Sequence, residues 1–316
     1  MIKQSLRFYF LLLLVACGAL ATSCSDGAGI LEYEKNTPTS GDLKVYYDEG
    51  LEPHLKNQAY TFEVLYPRVH MSLKSSTESE AVQALYDDSC EAIVISRLLS
   101  EKETKAFASK NYSPKYSRVA VSAVALIVNS QNPLKGLSVN EVVDLLTNEG
   151  KNLKDSAGRS LNLQAVFDQN NSAVVHYMLD SVLKGSKLSP NCSILRSSIE
   201  TINYVAENKN SVGLINFAWL SDVDDSVYKA NKSKVRILGV AQNERSDYFL
   251  PDPSNFKLRT YPFIRNIYVI RKLGDFTLPK GFESFVAGPK GQLTFLKQGL
   301  LPARQTERNI EVKTSN

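Results

Sequence analysis

Short apolar segments alternate with amphipathic stretches from about residue 43 onward. Leu43 to Tyr47, Val69 to Leu73 and Glu91 to Ser96 have the length and composition of buried strands. Helical spacing separates them, first after Pro53 and then from Ala81 to Tyr86. This order of strand, helix, strand, helix and strand predicts a parallel sheet in an α/β fold.

A second series of the same kind follows a long β-rich run from Arg118 to Asn129. Ser138 and Glu141 form a capping box that predicts a helix start, and Leu163 to Phe167 predicts a strand. Asn171 is expected to cap a helix that ends at Gly185. The long run therefore suits a connector between two lobes of similar plan.

The rest of the chain completes the second lobe and returns to the first. Ser197 with Glu200 predicts a further helix, and Val212 to Trp219 and Val235 to Val240 predict strands. Leu258 to Lys272 is predicted as a long β segment that crosses back. A last helix is expected to open at Gly288-Pro289 and to stop at Gly299.

These elements predict a two-lobed α/β fold in which each lobe is a mainly parallel sheet flanked by helices. Two hinge strands join the lobes. Lobe 1 is predicted to comprise residues 42–118 and 262–316, and lobe 2 residues 119–261. Residues 25–41 are rich in Gly, Ser and Thr and are expected to form a flexible tether.

The first 24 residues have the pattern of an export signal. Lys3 and Arg7 precede an apolar run from Phe8 to Val15, after which small residues lead to Cys17 and Cys24. The run is shorter than the roughly 20 residues that span a bilayer. We expect residues 1–24 to form a lipoprotein signal peptide with acylation of Cys24, with Cys17 as the alternative and an ordinary cleaved secretory peptide also open. The expected location is the periplasm, with the protein anchored to a bacterial membrane as a lipoprotein.

Composition and motifs exclude several functions. Hydrophobic residues make up 43% and charged residues 22%, and the net charge of +4 is dispersed, so we expect no nucleic-acid partner. No nucleophile elbow, phosphate-binding glycine loop or paired-histidine metal helix occurs, and His54, His70 and His176 are scattered. We therefore expect that the protein is not an enzyme and that it has no cofactor and no metal. Cys90 and Cys192 are expected to stay unpaired.

Several short segments follow one another along the chain. They are Tyr47-Asp48-Glu49, Glu78 to Leu85, Ala92 to Arg97, Val124 to Asn129, Asn132-Pro133, Val212 to Ile215, Tyr261-Pro262-Phe263, Gly288 to Gln292 and Gly299 to Pro302. In this order and at these separations they resemble the phosphate-binding proteins of ABC transporters, within the type II periplasmic binding proteins. The resemblance implies a ligand cleft between the lobes. It also implies a membrane permease or sensor complex as partner, and we expect the protein itself to be a monomer.

The resemblance places the ligand at the starts of helices, where free N–H groups and the helix dipole favour an anion. The matching ligand-binding candidates are Glu49, Gly50, Leu51, Ser75, Ser76, Thr77, Arg97, Asn171, Ser172 and Ala173. Capping alone also explains the hydroxyl and amide residues, and a structural ion pair also explains Arg97.

The ligand implied by the resemblance is a small anion, phosphate or another oxyanion. This chain departs from the family where the second-lobe helix begins. The family usually has Ser-Gly-Thr there, preceded closely by arginine, whereas this chain has Asn171-Ser172-Ala173 preceded by Phe167 and Asp168. A scaffold or interaction lipoprotein that keeps the fold but has no ligand is therefore the alternative function.

Overall fold

The computed structural model describes residues 37–148, 153, 161–272 and 274–304. The signal segment, both candidate lipidation cysteines and the tether before residue 37 lie outside the described residues.

Strands and helices alternate along the described chain. The strands are β1 (Gly41–Asp48), β2 (Val69–Ser76), β3 (Ala92–Ile95), β4 (Lys115–Asn129), β5 (Gly136–Ser138), β6 (Gln164–Phe167), β7 (Ser193–Ile194), β8 (Ser211–Asn216), β9 (Val235–Ile237), β10 (Gly239–Ala241), β11 (Ile264–Arg271) and β12 (Leu301–Pro302). The helices are α1 (Glu52–Leu65), α2 (Glu78–Tyr86), α3 (Glu101–Ser109), α4 (Val139–Thr147), α5 (Ala173–Tyr177), α6 (Ser198–Glu207), α7 (Ala218–Ser221), α8 (Ser226–Asn231), α9 (Pro253–Leu258), α10 (Leu278–Ala287) and α11 (Pro289–Lys297).

One strand, β4, belongs to both halves of the main sheet. The strand order is β2-β1-β3-β11-β4-β8-β6-β7, and β9 and β12 also pair with β4. Residues 115–123 of β4 pair with β11 and β12, whereas residues 124–129 pair with β8 and β9. We call the part from β2 to β11 the first sheet half and the part from β8 to β7 the second sheet half.

Each sheet half is parallel at its outer strands and antiparallel at its junction with β4. The strands β1, β2 and β3 run parallel, as do β6, β7 and β8. Every residue of β4 from Val119 to Asn129 is buried, which explains why this segment is almost continuously apolar. The predicted fold class is confirmed. The residue numbers at which the two lobes divide stay a prediction.

Capping boxes start several helices, as the sequence indicates. Ser138 accepts a hydrogen bond from the backbone N–H of Glu141, and the Glu141 carboxylate accepts one from the N–H of Ser138. Thr77 and Glu80 form the same pair at the start of α2. These contacts fix where each helix begins relative to the strand before it.

The predicted return strand is shorter than expected. Leu258 is the last residue of α9, and the strand itself begins only at Ile264. The reason is local, because Asp252 caps α9 by accepting from two backbone N–H groups and Pro253 occupies the first turn. The prediction of a β segment over Leu258 to Phe263 is therefore wrong.

The predicted helix from Asn171 to Gly185 also differs from the structure. Asn171 has a left-handed backbone with φ of 60°, and Ser172 is the residue that caps α5. The α-helix ends at Tyr177 and continues as a π-helical turn over Met178–Val182. A left-handed residue cannot occupy the extended backbone of an N-cap, so the cap moves one position along the chain.

Two strand predictions need smaller corrections. The segment predicted from Val212 to Trp219 leaves the sheet after Asn216, and Trp219 lies in α7. Val235 to Val240 is divided between β9, which pairs with β4, and β10, which pairs with β5.

Cys90 is buried, Cys192 is partly buried, and both are free. No helix among the described residues is long and apolar enough to cross a membrane.

Candidate functional site

Apart from Arg97, the candidate ligand-binding residues fall in three loops, at residues 49–51, 75–77 and 171–173. Two of these loops meet across a cavity of about 690 Å³. One side is formed by Ser75, Ser76 and Thr77, where β2 ends and α2 begins. The opposite side includes Asn170 and Asn171, which precede α5. The structure therefore brings these loops together from the two sheet halves, as the family resemblance implies.

Local hydrogen bonds already engage some of the polar groups of this cavity. Thr77 caps α2, and its hydroxyl also lies 3.0 Å from a carboxylate oxygen of Glu80. The Ser76 hydroxyl donates to the carbonyl of Tyr47 at 3.3 Å. The capping interpretation of the sequence therefore holds for Thr77.

The third loop, at residues 49–51, is largely buried. Glu49, Gly50 and Leu51 form a 3₁₀ turn directly after β1, and Leu51 is buried in the apolar core. The Glu49 carboxylate accepts from the backbone N–H of Ser198 at 3.3 Å and from its hydroxyl at 2.9 Å. Glu49 thus joins the end of β1 to the start of α6 in the second sheet half.

Ser172 and Ala173 lie at the start of α5 and are buried. The Ser172 hydroxyl accepts from the N–H of Val175 at 3.1 Å. Burial raises the pKa of the neighbouring Asp168 to about 6, and hydrogen bonding to Ser172 opposes that rise. Ser172 therefore connects the cap of α5 with a buried carboxyl group.

Arg97 is held in ion pairs. Its guanidinium contacts both carboxylate oxygens of Glu103, at 2.7 and 2.9 Å, and its Nε lies 3.4 Å from Glu78. This is the structural ion pair that the sequence left as the alternative. Glu78 is itself buried and accepts from the backbone N–H of Ser96 at 2.7 Å.

A second arginine, which the sequence reasoning missed, lies between the two sheet halves. Arg265 of β11 is 4% exposed, and its Nη2 donates to Glu78 at 3.1 Å. Its Nε and Nη1 are buried and have no hydrogen-bond partner among the described residues. The ring of Tyr177, from the second sheet half, lies 5.6 Å from the Arg265 guanidinium carbon.

Buried carboxyl groups surround this arginine. Burial, followed by the negative charge of Glu78, raises the pKa of Asp48 well above its ordinary value. Burial, followed by the charge of Asp168, raises the pKa of Glu49 to about 7. Proton uptake by these groups therefore occurs at higher pH than for ordinary carboxyl groups.

Several polar atoms in this region have no partner among the described residues. They include Asp48 Oδ2, Ser96 Oγ, Asn216 Nδ2 and the two Arg265 nitrogens. Leaving a buried polar group unpaired costs about 1–3 kcal/mol, and more when the group is charged. We call the set Asp48, Ser96, Asn216 and Arg265 the inner polar cluster. It offers N–H donors to an oxyanion and a carboxyl group to an oxyanion's hydroxyl.

Two residues that interact with Arg265 are next in sequence to residues of the 690 Å³ cavity wall. Asp168, whose pKa responds to the charge of Arg265, precedes Gln169 of the cavity wall. Tyr177, which contacts Arg265, follows His176 of that wall.

Over the residues that the structure describes, no group of three or more His, Cys, Asp or Glu is arranged to hold a metal ion.

The fold and the cleft define a two-lobed solute-binding protein. A family model described as the PBP superfamily domain matches residues 34–290, and the chain belongs to this superfamily. The phosphate-binding protein PstS of Pseudomonas aeruginosa is 26% identical to this chain, and the alignment covers 93% of this chain and 94% of that protein.

Two solved structures have the same fold. A putative phosphate ABC transporter substrate-binding protein from Clostridium perfringens, solved with bound phosphate, has a TM-score of 0.68 and 20% identity. The match covers 84% of this chain and 100% of that chain. An ABC-type phosphate transport receptor from Vibrio cholerae has a TM-score of 0.61 and 15% identity, with 83% and 100% covered.

Proposed function

We propose that this protein binds phosphate, a small oxyanion, between the two sheet halves and presents it to a membrane permease or sensor complex. The relatives named above are phosphate-binding proteins of transport systems. In this account the protein is a periplasmic binding protein and not an enzyme, and it acts as a monomer.

The observation that carries this proposal is the buried guanidinium of Arg265. Two of its nitrogens have no hydrogen-bond partner among the described residues, and it contacts Glu78 of α2 and the ring of Tyr177 of α5. A buried cation needs partners, and a planar guanidinium binds phosphate oxygens in pairs. Arg265 therefore supplies the cation that is missing at Asp168, where the family usually has arginine nearby.

The carboxyl groups around Arg265 restrict the ligand to one that carries a proton. Asp48 and Asp168 both interact with the charge of Arg265, and when they are ionised they would repel a bare dianion. A monohydrogen or dihydrogen phosphate can instead donate its hydroxyl to the unpartnered oxygen of Asp48. Ser75, Ser76, Thr77, Asn171 and Ser172 remain proposed as ligand-binding residues.

Lipid anchoring is a separate part of the proposal. The export signal ahead of Cys24 supports cleavage between Ser23 and Cys24 and acylation of Cys24, with Cys17 as the alternative. Cys24→Ser should abolish incorporation of a labelled fatty acid in a bacterial host, whereas Cys17→Ser should not. The opposite pattern would assign the lipid to Cys17, and labelling of both variants would contradict acylation at a unique cysteine.

One observation favours the second candidate function, a scaffold without a ligand. The carboxylate of Glu49 occupies the start of α6, so a group of the protein itself binds donors that an anion would use. In a scaffold this contact would be permanent. Both candidates share the fold and differ in whether an added anion binds.

Calorimetric titration of the purified protein with phosphate, sulfate and molybdate distinguishes them. We expect heat with phosphate, little with sulfate, and a loss of at least about a hundredfold in phosphate affinity for Arg265→Gln. Lys102→Gln, at an exposed lysine of α3, is the matched control and should bind as the original does. Silence with all three anions, in the original and in Glu49→Gln, would favour the scaffold.

A further inference from the structure

A second groove, of about 550 Å³, lies beside β4 and β11, the two strands within the segments that the sequence predicts as crossings between the lobes. We call it the hinge groove. Arg118 and Val121 of β4, Lys257 of α9, and Ile264 and Asn266 of β11 contribute to its walls. Arg259, in the segment that leads into β11, lines it as well.

The charge of the hinge groove has one sign. Arg118, Lys257 and Arg259 are exposed, and none of the three forms an ion pair with any described residue. None of the residues that line the groove is an aspartate or a glutamate. Three cations facing one concavity concentrate a positive potential there, because a cleft lined by one sign of charge focuses its field.

The groove also offers an apolar floor and neutral polar groups. Val121, Ile264 and Leu301 supply the apolar surface, while Asn266 and Gln242 supply amides. A volume of this size and a mixture of apolar and convergent polar groups are typical of sites for organic ligands. A bare inorganic anion would use the cations but leave the apolar floor uncovered.

The groove is separated from the inner polar cluster by a single strand. Successive residues of a strand point to opposite faces, so Ile264 and Asn266 face the groove while Arg265 faces the cluster. The two sites are therefore back to back and do not share side chains. Binding in the groove does not depend on the function proposed for Arg265.

We propose that the hinge groove binds a phosphorylated organic anion of nucleotide size. Its phosphate groups contact Arg118, Lys257 and Arg259, and its organic part covers Val121 and Ile264, within reach of the Asn266 amide.

The backbone of Arg259 makes this residue suitable for substitution. It has φ of 57° at the end of α9, a left-handed position where glycine is the usual residue. Arginine is disfavoured there by its backbone, although its positive charge suits the C-terminal end of a helix. Arg259→Gly therefore removes a charge from the groove without introducing backbone strain.

The test is calorimetric titration of the purified full chain with ATP as the probe, beside tripolyphosphate and adenosine. We expect ATP to bind, tripolyphosphate to bind more weakly, and adenosine not to bind. Arg118→Gln and Arg259→Gly should each weaken ATP binding by about tenfold or more. Lys102→Gln should not change it, and neither should Arg265→Gln.

Thermal unfolding separates binding from folding, because Arg259→Gly removes the unfavourable backbone and should keep or raise the melting temperature. Absence of ATP binding would overturn the proposal. Equal weakening by Lys102→Gln would also overturn it, because diffuse surface charge would then be the cause. Tripolyphosphate binding as tight as that of ATP would contradict the organic ligand class, and loss of ATP binding in Arg265→Gln would place ATP in the cleft instead.

Discussion

Glu49 and Ser198 are 149 positions apart in the chain, yet the Glu49 carboxylate accepts both the backbone N–H and the hydroxyl of Ser198. Ser198 is the first residue of α6, where the helix dipole favours a negative charge. The contact links the two sheet halves through a carboxyl group whose pKa burial raises to about 7. Its strength should therefore change with pH near neutrality.

The first prediction concerns the pH dependence of stability. Folded Glu49 keeps its proton to higher pH than an ordinary glutamate, so the folded state binds more protons than the unfolded chain between pH 4.5 and 7. Its contribution to the free energy of unfolding is full below pH 4.5 and is lost as the pH rises through about 7. A pKa rise from 4.5 to about 7 corresponds to about 3 kcal/mol at most. Urea unfolding from pH 4.5 to 8 should show this loss in the original and a smaller one in Glu49→Gln.

The comparison of the two proteins is needed because other groups titrate in the same range. Burial lowers the pKa of His54 to about 4, so His54 removes stability as the pH falls below 6.5, the opposite direction. Asp168, with a pKa raised to about 6, acts in the same direction as Glu49. Subtracting the two profiles leaves the contribution of Glu49. Identical profiles would show that Glu49 has no raised pKa.

The second prediction separates the roles of Asn171 and Ser172. Ser172 caps α5, so Ser172→Ala should lower the free energy of unfolding by about 0.5–2 kcal/mol. Asn171 has a left-handed backbone, so Asn171→Gly should be neutral or slightly stabilising. Chemical denaturation of both variants checks this pair. Destabilisation by Asn171→Gly with no effect of Ser172→Ala would restore Asn171 as the cap.

The third prediction compares two glycines with left-handed backbones. Gly185 has φ of 88° and no atom within 4 Å of the position that a Cβ would take. Gly299 has φ of 79°, and a Cβ there would lie 2.3 Å from the carbonyl oxygen of Ser221. Gly185→Ala should cost about 1–2 kcal/mol of stability through its backbone alone. Gly299→Ala should cost clearly more, and equal costs in thermal unfolding would contradict the close approach of Ser221.

The sequence predicts the elements whose signals are local. The capping box of Ser138 and Glu141 and the buried run of β4 are both present in the structure. The cap and proline that start α9 at Asp252 are equally local, and overlooking them extended the predicted return strand. The left-handed backbone of Asn171 has no clear sequence signal, because asparagine is also a common cap.

The inner polar cluster is harder to predict because its members meet only in the folded chain. Arg265 lies in β11 between Ile264 and Asn266, and nothing in the neighbouring sequence indicates that Glu78 and Tyr177 will contact it. The family comparison directs attention to Asp168, where the usual arginine is absent. In the function proposed above, the buried Arg265 of β11 takes the place of that arginine, and an arginine within a mostly apolar strand is the signal that would have found it.

A crystal structure of the protein grown with phosphate tests the central claim most directly. We predict a phosphate ion with an oxygen within hydrogen-bond distance of Arg265 Nε or Nη1, and with its hydroxyl directed at Asp48. A structure grown in excess phosphate that shows Arg265 without an anion, and Glu49 still bound to Ser198, would contradict the account.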